Sequence, residues 1–381
     1  MRRLNKGFIA LLVVLLVLSA CTPNFEKDEE IVQETEETTE QAIIPKYKIS
    51  DEYYRTILPF KSGKARGLVN YTVYNRLDID ELEMGLMRVA QEHFDPNNYY
   101  FQEGQYVTSE MVEDWVGRQS DKNVEGMNPP LNENEATTEQ FRKNPKYLSH
   151  VMEHNYLKKD DENKVELGGI VIGLALKSVY NFNEPTMGYP REEAIPPAEI
   201  EKQGKAIAVQ VLQKMHSMKA LEGIPIVIAL FQEKPRESVV PGNFFAKTYI
   251  SGNSNSISKW EGINERYILF PSQEGKDLYY DDYTKVMNFK SDIEQYFPNF
   301  VGVVGRGYYV DDQLQEMTID IPIQFYGKAE IIGFTEYITG LMLDHFPPYI
   351  SVQVYITSID GQEALISWNG GEEKPFVHIY R

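Results

Sequence analysis

Ile170-Val-Ile-Gly-Leu-Ala-Leu-Lys-Ser-Val-Tyr180 is the stretch on which the fold turns. Apolar and β-branched residues dominate it, which predicts a strong strand. A long helix follows, with Ile200, Ile207, Val211, Leu212, Met215 and Met218 on one face and Gly223 at its end. Ile224-Pro-Ile-Val-Ile-Ala-Leu230 is the next strand. The same order returns downstream. Met317–Tyr326 reads as a strand and Ala329–His345 as a helix with Ile331, Ile338, Leu341, Met342 and His345 facing inward. Pro347-Pro348 breaks that helix, and Tyr349–Thr357 is extended.

The resemblance between the halves reaches further upstream. Asp78-Ile-Asp-Glu81 has the form of a capping box, and Ile79, Leu82, Leu86, Val89, Ala90 and His93 follow at helical spacing. Asp95-Pro96-Asn97 stops that helix before an extended Tyr99–Val107. Ser291-Asp-Ile-Glu294 is a second box, stopped by Pro298-Asn299 before an extended Val301–Val310. Each half therefore reads helix, strand, strand, helix, strand. The expected fold is α+β: two related α/β halves left by an internal duplication, residues 51–235 and 236–381. Each is a small mixed or antiparallel sheet with packed helices. The first half carries a polar insertion, about residues 120–163, with one short helix around Pro145–Leu157. Asp360-Gly361 and Asn369-Gly370-Gly371 are turn signals that make the C-terminus a β-meander.

The N-terminus has a different character. Arg2, Arg3 and Lys6 precede an apolar run from Phe8 to Ala20, too short to cross a bilayer, which needs roughly 20 residues. Leu18-Ser19-Ala20-Cys21 closes it with the one cysteine of the chain. A charged n-region, a short apolar core and small residues before a cysteine form a lipobox, so residues 1–20 read as a lipoprotein signal peptide cut between Ala20 and Cys21. Cys21 would carry S-diacylglyceryl and N-acyl groups, and two or more chains on one residue suffice for stable anchoring. The expected location is the outer face of the cell membrane, with lipoprotein-processing enzymes and the membrane as partners. A single cysteine leaves no intramolecular disulfide and, once acylated, no thiolate chemistry. Thr22–Lys46 holds eight acidic residues and few apolar ones, so residues 21–50 are expected to be a disordered, charged tether. The whole chain carries −19, from 57 acidic and 38 basic residues, which argues against nucleic acid.

Little chemistry stands out in the body. His150-Val-Met-Glu-His154 fits the H-x-x-E-H pattern of zinc hydrolases. On a helix its two histidines would share a face with Glu153 beside them, and Glu222 or Glu233 could be a third ligand. The pattern is short and lies in a polar insertion, so the preferred reading is two solvent-facing histidines on an amphipathic helix. No metal, cofactor or catalytic residue is assigned, and His150, Glu153 and His154 stay as an alternative zinc site. Gly302-x-x-Gly305-x-Gly307 is out of order for a dinucleotide fingerprint and predicts bulges or close backbone approach within a strand. Asp281-Asp282 and Asp311-Asp312 read as surface pairs. Four tyrosine pairs, Tyr53-Tyr54, Tyr99-Tyr100, Tyr279-Tyr280 and Tyr308-Tyr309, should each send one ring to the core and one to solvent if they lie on strands.

The lipobox, the acidic tether, Gly169-Ile-Val-Ile-Gly-Leu-Ala-Leu-Lys-Ser-Val-Tyr-Asn181 and Gly302-Val-Val-Gly-Arg-Gly-Tyr-Tyr309 together resemble the CamS family, sex-pheromone precursor lipoproteins of Gram-positive bacteria. The resemblance covers essentially the whole chain. It implies that the last apolar residues of the signal, here Val14, Leu15, Leu16, Val17, Leu18, Ser19 and Ala20, are released as a peptide pheromone. It implies no enzyme activity for the body. The alternative for the body is an extracytoplasmic module that binds a peptide or glycan through exposed tyrosines or a groove between the halves, with the zinc hydrolase behind it.

Overall fold

A computed structural model describes residues 29–34, 39–50, 52–297, 302–324 and 327–381. The first half contains strands β1 (Glu29–Glu34), β2 (Thr39–Ile44), β3 (Arg55–Thr56), β4 (Tyr100–Glu103), β5 (Leu148–Lys159), β6 (Lys164–Leu176), β7 (Val179–Asn183), β8 (Pro190–Ala194), β9 (Ile226–Gln232), β10 (Asn243–Ile250) and β11 (Glu261–Gly262). Its helices are α1 (Val69–Thr72), α2 (Arg76–Gln91), α3 (Ser109–Val116), α4 (Thr138–Lys143) and α5 (Pro197–His216). The second half contains β12 (Glu265–Phe270), β13 (Val304–Val310), β14 (Gln313–Pro322), β15 (Ser351–Ser358), β16 (Gly361–Trp368) and β17 (Phe376–Ile379). Its helices are α6 (Gln273–Leu278), α7 (Tyr280–Tyr296) and α8 (Lys328–His345).

The first sheet runs β11-β10-β9-β6-β5-β4-β3, and the second β12-β13-β14-β15-β16-β17. From β4 to β11 the neighbours pair antiparallel, antiparallel, parallel, antiparallel, antiparallel. From β12 to β17 the succession is the same. Within these matched strands the parallel step of each sheet is bridged by a helix, α5 or α8, as a parallel connection requires. This shared order is what a duplication would leave. It matches β13 with β5, however, and not with Tyr99–Val107 as the sequence suggested.

β6 is apolar on both faces because both are covered. Ile170, Ile172, Leu174 and Leu176 pack with Ile207, Val211, Leu212 and Met215 of α5. Val171 and Ala175 point the other way, into a core with Leu82, Leu86 and Val89 of α2. The second sheet is covered on one face: Met317, Ile319 and Ile321 of β14 and Val352, Val354 and Ile356 of β15 meet Phe289 of α7 and Phe334 and Ile338 of α8. The C-terminal meander forms as expected, with Gly361 at φ 134° in the β15–β16 turn. Gly307 also meets its expectation: a Cβ there would lie 2.8 Å from the Tyr309 ring, beside a register shift at Tyr308/Tyr309.

Several boundaries move. Part of the stretch read as a disordered tether is a hairpin: β1 pairs with β2 and joins β6 in parallel at Val32↔Lys164 and Gln33↔Val165. Ile31, Ala42 and Ile44 are buried there against Leu157 and Val165, so these few apolar residues outweigh the acidic composition. The division near residue 235 falls too early, since β10 and β11 pair in the first sheet. The helix around Pro145–Leu157 is instead β5, a strand inside the sheet. α2 begins at Arg76 with Asn75 as its N-cap, accepting from the Leu77 N–H at 2.9 Å, so Asp78 lies within its first turn. Ser291 is likewise inside α7, which starts at Tyr280. Among the described residues no helix is long and apolar enough to cross a membrane.

Candidate functional site

β4 accompanies β5 only from Tyr100↔Leu157 to Glu103↔His154. Beyond that point β5 loses its neighbour and borders a cavity of about 310 Å³, closed by residues 63–70 and by the first two turns of α2. Gly104 makes the departure possible. A Cβ there would sit 2.6 Å from the Glu153 Cβ and 2.8 Å from the Glu153 carbonyl oxygen, distances no side chain tolerates.

Glu153 holds the departing strand. Its Oε1 accepts from the Gln105 N–H at 3.0 Å, and its Oε2 accepts from the Tyr106 and Val107 N–H groups at 3.0 and 2.6 Å. Burial pushes its pKa up, and these three donors pull against that. Immediately after the nest Thr108 caps α3, accepting from the Met111 N–H at 3.3 Å. The carboxylate is thus a strut, with its lone pairs committed to backbone.

The two histidines are buried, not solvent-facing. His150 is 2% exposed, with Nδ1 3.0 Å from the Thr72 hydroxyl, and burial lowers its pKa to about 4. His154, also 2% exposed, stands edge-on to Phe101 at 4.9 Å between ring centres, and burial lowers its pKa to about 3. Both rings are neutral at pH 7. His154 Nδ1 is buried without a hydrogen-bond partner. On a strand, residues one apart point to opposite faces. His150 and His154 therefore share one face, and Glu153 points away from both. The H-x-x-E-H reading needed a helix and loses its geometry here. Glu222 is exposed beyond a short 3-10 turn, and Glu233 is bonded to Ser149. Among the described residues no three His, Cys, Asp or Glu side chains converge as a metal site.

Two buried carboxyls lie behind the pocket. Asp78 accepts from the Gly242 N–H at 2.6 Å and the Lys234 N–H at 2.9 Å, tying α2 to the β9–β10 loop, and burial raises its pKa to about 6. Burial raises Glu233 to about 7. The Ser149 hydroxyl touches both Glu233 and the Ala175 carbonyl oxygen, the latter at 3.0 Å. A hydroxyl has one proton. A protonated Glu233 that donates to Ser149, which donates in turn to Ala175, satisfies all three groups.

The halves meet across the other side of α2, where a cleft of about 250 Å³ lies between Leu77, Asp80 and Met84 and the open face of the second sheet at Arg306, Glu316 and Thr318. Beside it the buried Glu81 accepts from Arg88 Nη2 at 2.5 Å and from the Tyr267 hydroxyl at 2.6 Å. Arg88 also reaches Glu265 at 3.3 Å and lies 4.9 Å over the Tyr308 ring. Burial raises the Glu81 pKa against the pull of Arg88.

Tyr53-Tyr54 splits, with residues 38% and 7% exposed, but in an irregular stretch before β3 and not on a strand. Tyr279-Tyr280 does so at a helix junction and not on a strand. Exposed tyrosines fall on separate elements, such as Tyr71 on α1, Tyr280 and Tyr296 on α7 and Tyr349 before β15, and share no strand. Asp281-Asp282 and Asp311-Asp312 do not converge as isolated carboxylates. Asp282 accepts from the Tyr309 hydroxyl and Asp312 from that of Tyr279, each at 2.9 Å. Asp78, Glu81 and Glu83 were missed in the sequence. Asp78 and Glu81 lie at helical spacing on the same stripe as Leu82, Leu86 and Val89, and acids on an apolar stripe were the available signal. Val14–Ala20 and Cys21 lie outside the described residues.

Fold and pocket define the class first: an α+β protein with two large sheets and a small β7–β8 hairpin sheet, whose halves share one order of strand pairing. The sequence profile of the CamS sex pheromone cAM373 precursor family matches residues 60–374, and the chain belongs to that family. That description names a precursor and no reaction. The chain is similar to the crystal structure of a sex pheromone precursor from Lactobacillus salivarius, with a TM-score of 0.81 and 30% identity, over 89% of this chain and 98% of that one. It is also similar to the C-terminal domain of the sex pheromone staph-cAM373 precursor from Staphylococcus aureus, with a TM-score of 0.69 and 26% identity, over 81% and 98% of the two chains. Among curated protein sequences there is no significant match.

Proposed function

We propose that this chain is a lipoprotein anchored through Cys21 to the outer face of the cell membrane, and that Val14–Ala20 of its signal is released as a peptide pheromone. The observation that carries the proposal is the chain's one cysteine directly after Leu18-Ser19-Ala20, in a member of a sex-pheromone precursor family. Processing enzymes alkylate the Cys21 thiolate and cut before it, and membrane proteolysis then frees the apolar peptide. Cys21→Ala tests both steps. The wild type should partition with membranes and leave a peptide ending in Ser19-Ala20 in the culture medium, read by mass spectrometry. A variant that stays lipid-bound, or a medium in which the wild type leaves no such peptide, would remove the corresponding step.

A second reading concerns the body alone, as a module that binds a small ligand. The cavity beside β5 favours it, being a concave site of about 310 Å³ with apolar and charged walls.

A further inference from the structure

We infer that the pocket beside β5 takes the free amino terminus of a short apolar peptide, with the ammonium at Glu83 and the leading side chains against Val69, Ile79 and Met152. The inference deepens the binding-module reading and rests on it. It is independent of where the lipid sits.

The charges around the pocket are nearly balanced, except at one residue. Asp80 pairs with Arg76 at 3.1 Å. Glu103 pairs with Arg66 at 3.6 Å and accepts from the Gly63 N–H at 2.5 Å. Glu83 makes no ion pair among the described residues, yet it lines the same cavity. Its pKa is raised by desolvation and by the neighbouring Glu103 and Asp80, with Arg66 and Arg76 pulling against them to a smaller extent. A surplus negative charge between two others is stabilised by a cation, and a cation bearing hydrogen-bond donors gains most.

The floor supplies the second half of the specificity. Val69, Ile79 and Met152 are only partly buried where they pack against the core of α2. An apolar side chain in the pocket would complete that packing, at roughly 25 cal/mol per Å² removed from water. An independent observation asks for a polar ligand group as well. His154 lines the pocket at 2% exposure, is neutral, and leaves Nδ1 without a partner. A native structure seldom leaves such an atom unsatisfied without a functional reason. An ammonium on an apolar body suits Glu83 and this apolar floor, and a volume of about 310 Å³ admits the first residues of a chain and not a folded domain.

Leucyl-leucinamide, its N-acetyl derivative and calorimetric titration of the purified full chain in detergent make the test. The free amine should bind, and acetylation should weaken binding about tenfold or more, because it removes the charge-assisted contact. Glu83→Gln, at an exposed helix position that leaves the fold intact by circular dichroism, should cost the free amine a similar factor and the acetylated peptide nothing further. Equal binding of the two peptides would overturn the ammonium inference while leaving the binding-module reading standing. Binding of neither would overturn both.

Discussion

In the first sheet β6 is buried on both sides, with Ile170, Ile172 and Leu174 toward α5 and Val171 and Ala175 toward α2. At the equivalent place in the second sheet, β14 buries Met317, Ile319 and Ile321 and turns Glu316, Thr318 and Asp320 outward. One order of pairing thus supports two kinds of layer. A second helical cover makes a strand apolar throughout, and its absence restores alternation. The ionisable groups follow the same division. Asp78, Glu81, His150, Glu153, His154 and Glu233 are all buried in the first half, whereas among the described residues of the second no Asp, Glu, His, Lys or Arg is buried. Buried, shifted groups are therefore concentrated in the half that also holds the pocket beside β5.

The largest test of that contrast is a deletion from the doubly covered sheet. Phe231→Ala, fully buried under α2, should cost about 3–5 kcal/mol in urea unfolding. The junction of the halves comes next. Arg88→Ala leaves the buried Glu81 with Tyr267 alone. It should cost about 3 kcal/mol, the low end for a broken buried pair because the Arg88 side chain is 35% exposed, and should give two thermal transitions where the wild type gives one if this network couples the halves. A coincident, unshifted melt would assign the coupling elsewhere.

pH should act through the first half. His154 has its pKa depressed in the fold, so its contribution is fully present above the unfolded value near 6.5 and is lost as pH falls toward about 3. His154→Leu should therefore gain about 2 kcal/mol over wild type at about pH 5 relative to pH 7.5. Glu233 runs the other way. Its pKa is raised to about 7, so the fold holds a proton that the unfolded chain has released, and stability falls as pH rises from about 4.5 to about 7. Glu233→Gln keeps a donor for Ser149 and should remove that fall, about 1–3 kcal/mol across the window, in melts taken at several pH values. If neither variant changes the pH profile, the buried first-half groups do not govern it. The smallest effect belongs to the open face: Gln353→Ala on β15 should stay within about 0.5 kcal/mol of wild type.

Periodic apolar segments were legible. α5, α8 and β9 lie where the Ile200 stripe, Ala329–His345 and Ile224–Leu230 placed them, and β6 takes Ile170–Leu176 of the strand read over Ile170–Tyr180, whose last two residues belong to β7 in a separate sheet. β5 was not, because Ser149, His150, Glu153, His154 and Asn155 give it the composition of a surface helix. Those groups are tolerated inside a sheet since Glu153 meets three backbone donors and the histidines go neutral. Partners of that kind come from residues 105–107 and from Thr72, far along the chain, and no local pattern announces them. The pocket was hidden for the same reason, its walls being assembled from α1, α2 and the end of β4. The hairpin of β1 and β2 was masked by its charge, which composition weighs more heavily than three well-placed apolar residues.

That hairpin also sets a distance. Its first strand starts at Glu29, so residues 22–28 are all that separate Cys21 from the sheet, and covalent geometry limits their reach to about 25 Å. A lipid at Cys21 would then moor the body by one edge, close enough for the bilayer to restrict which way it turns. The strand that looked like slack in the rope would then work as a cleat, and a body anchored in that way would take its orientation from its fold.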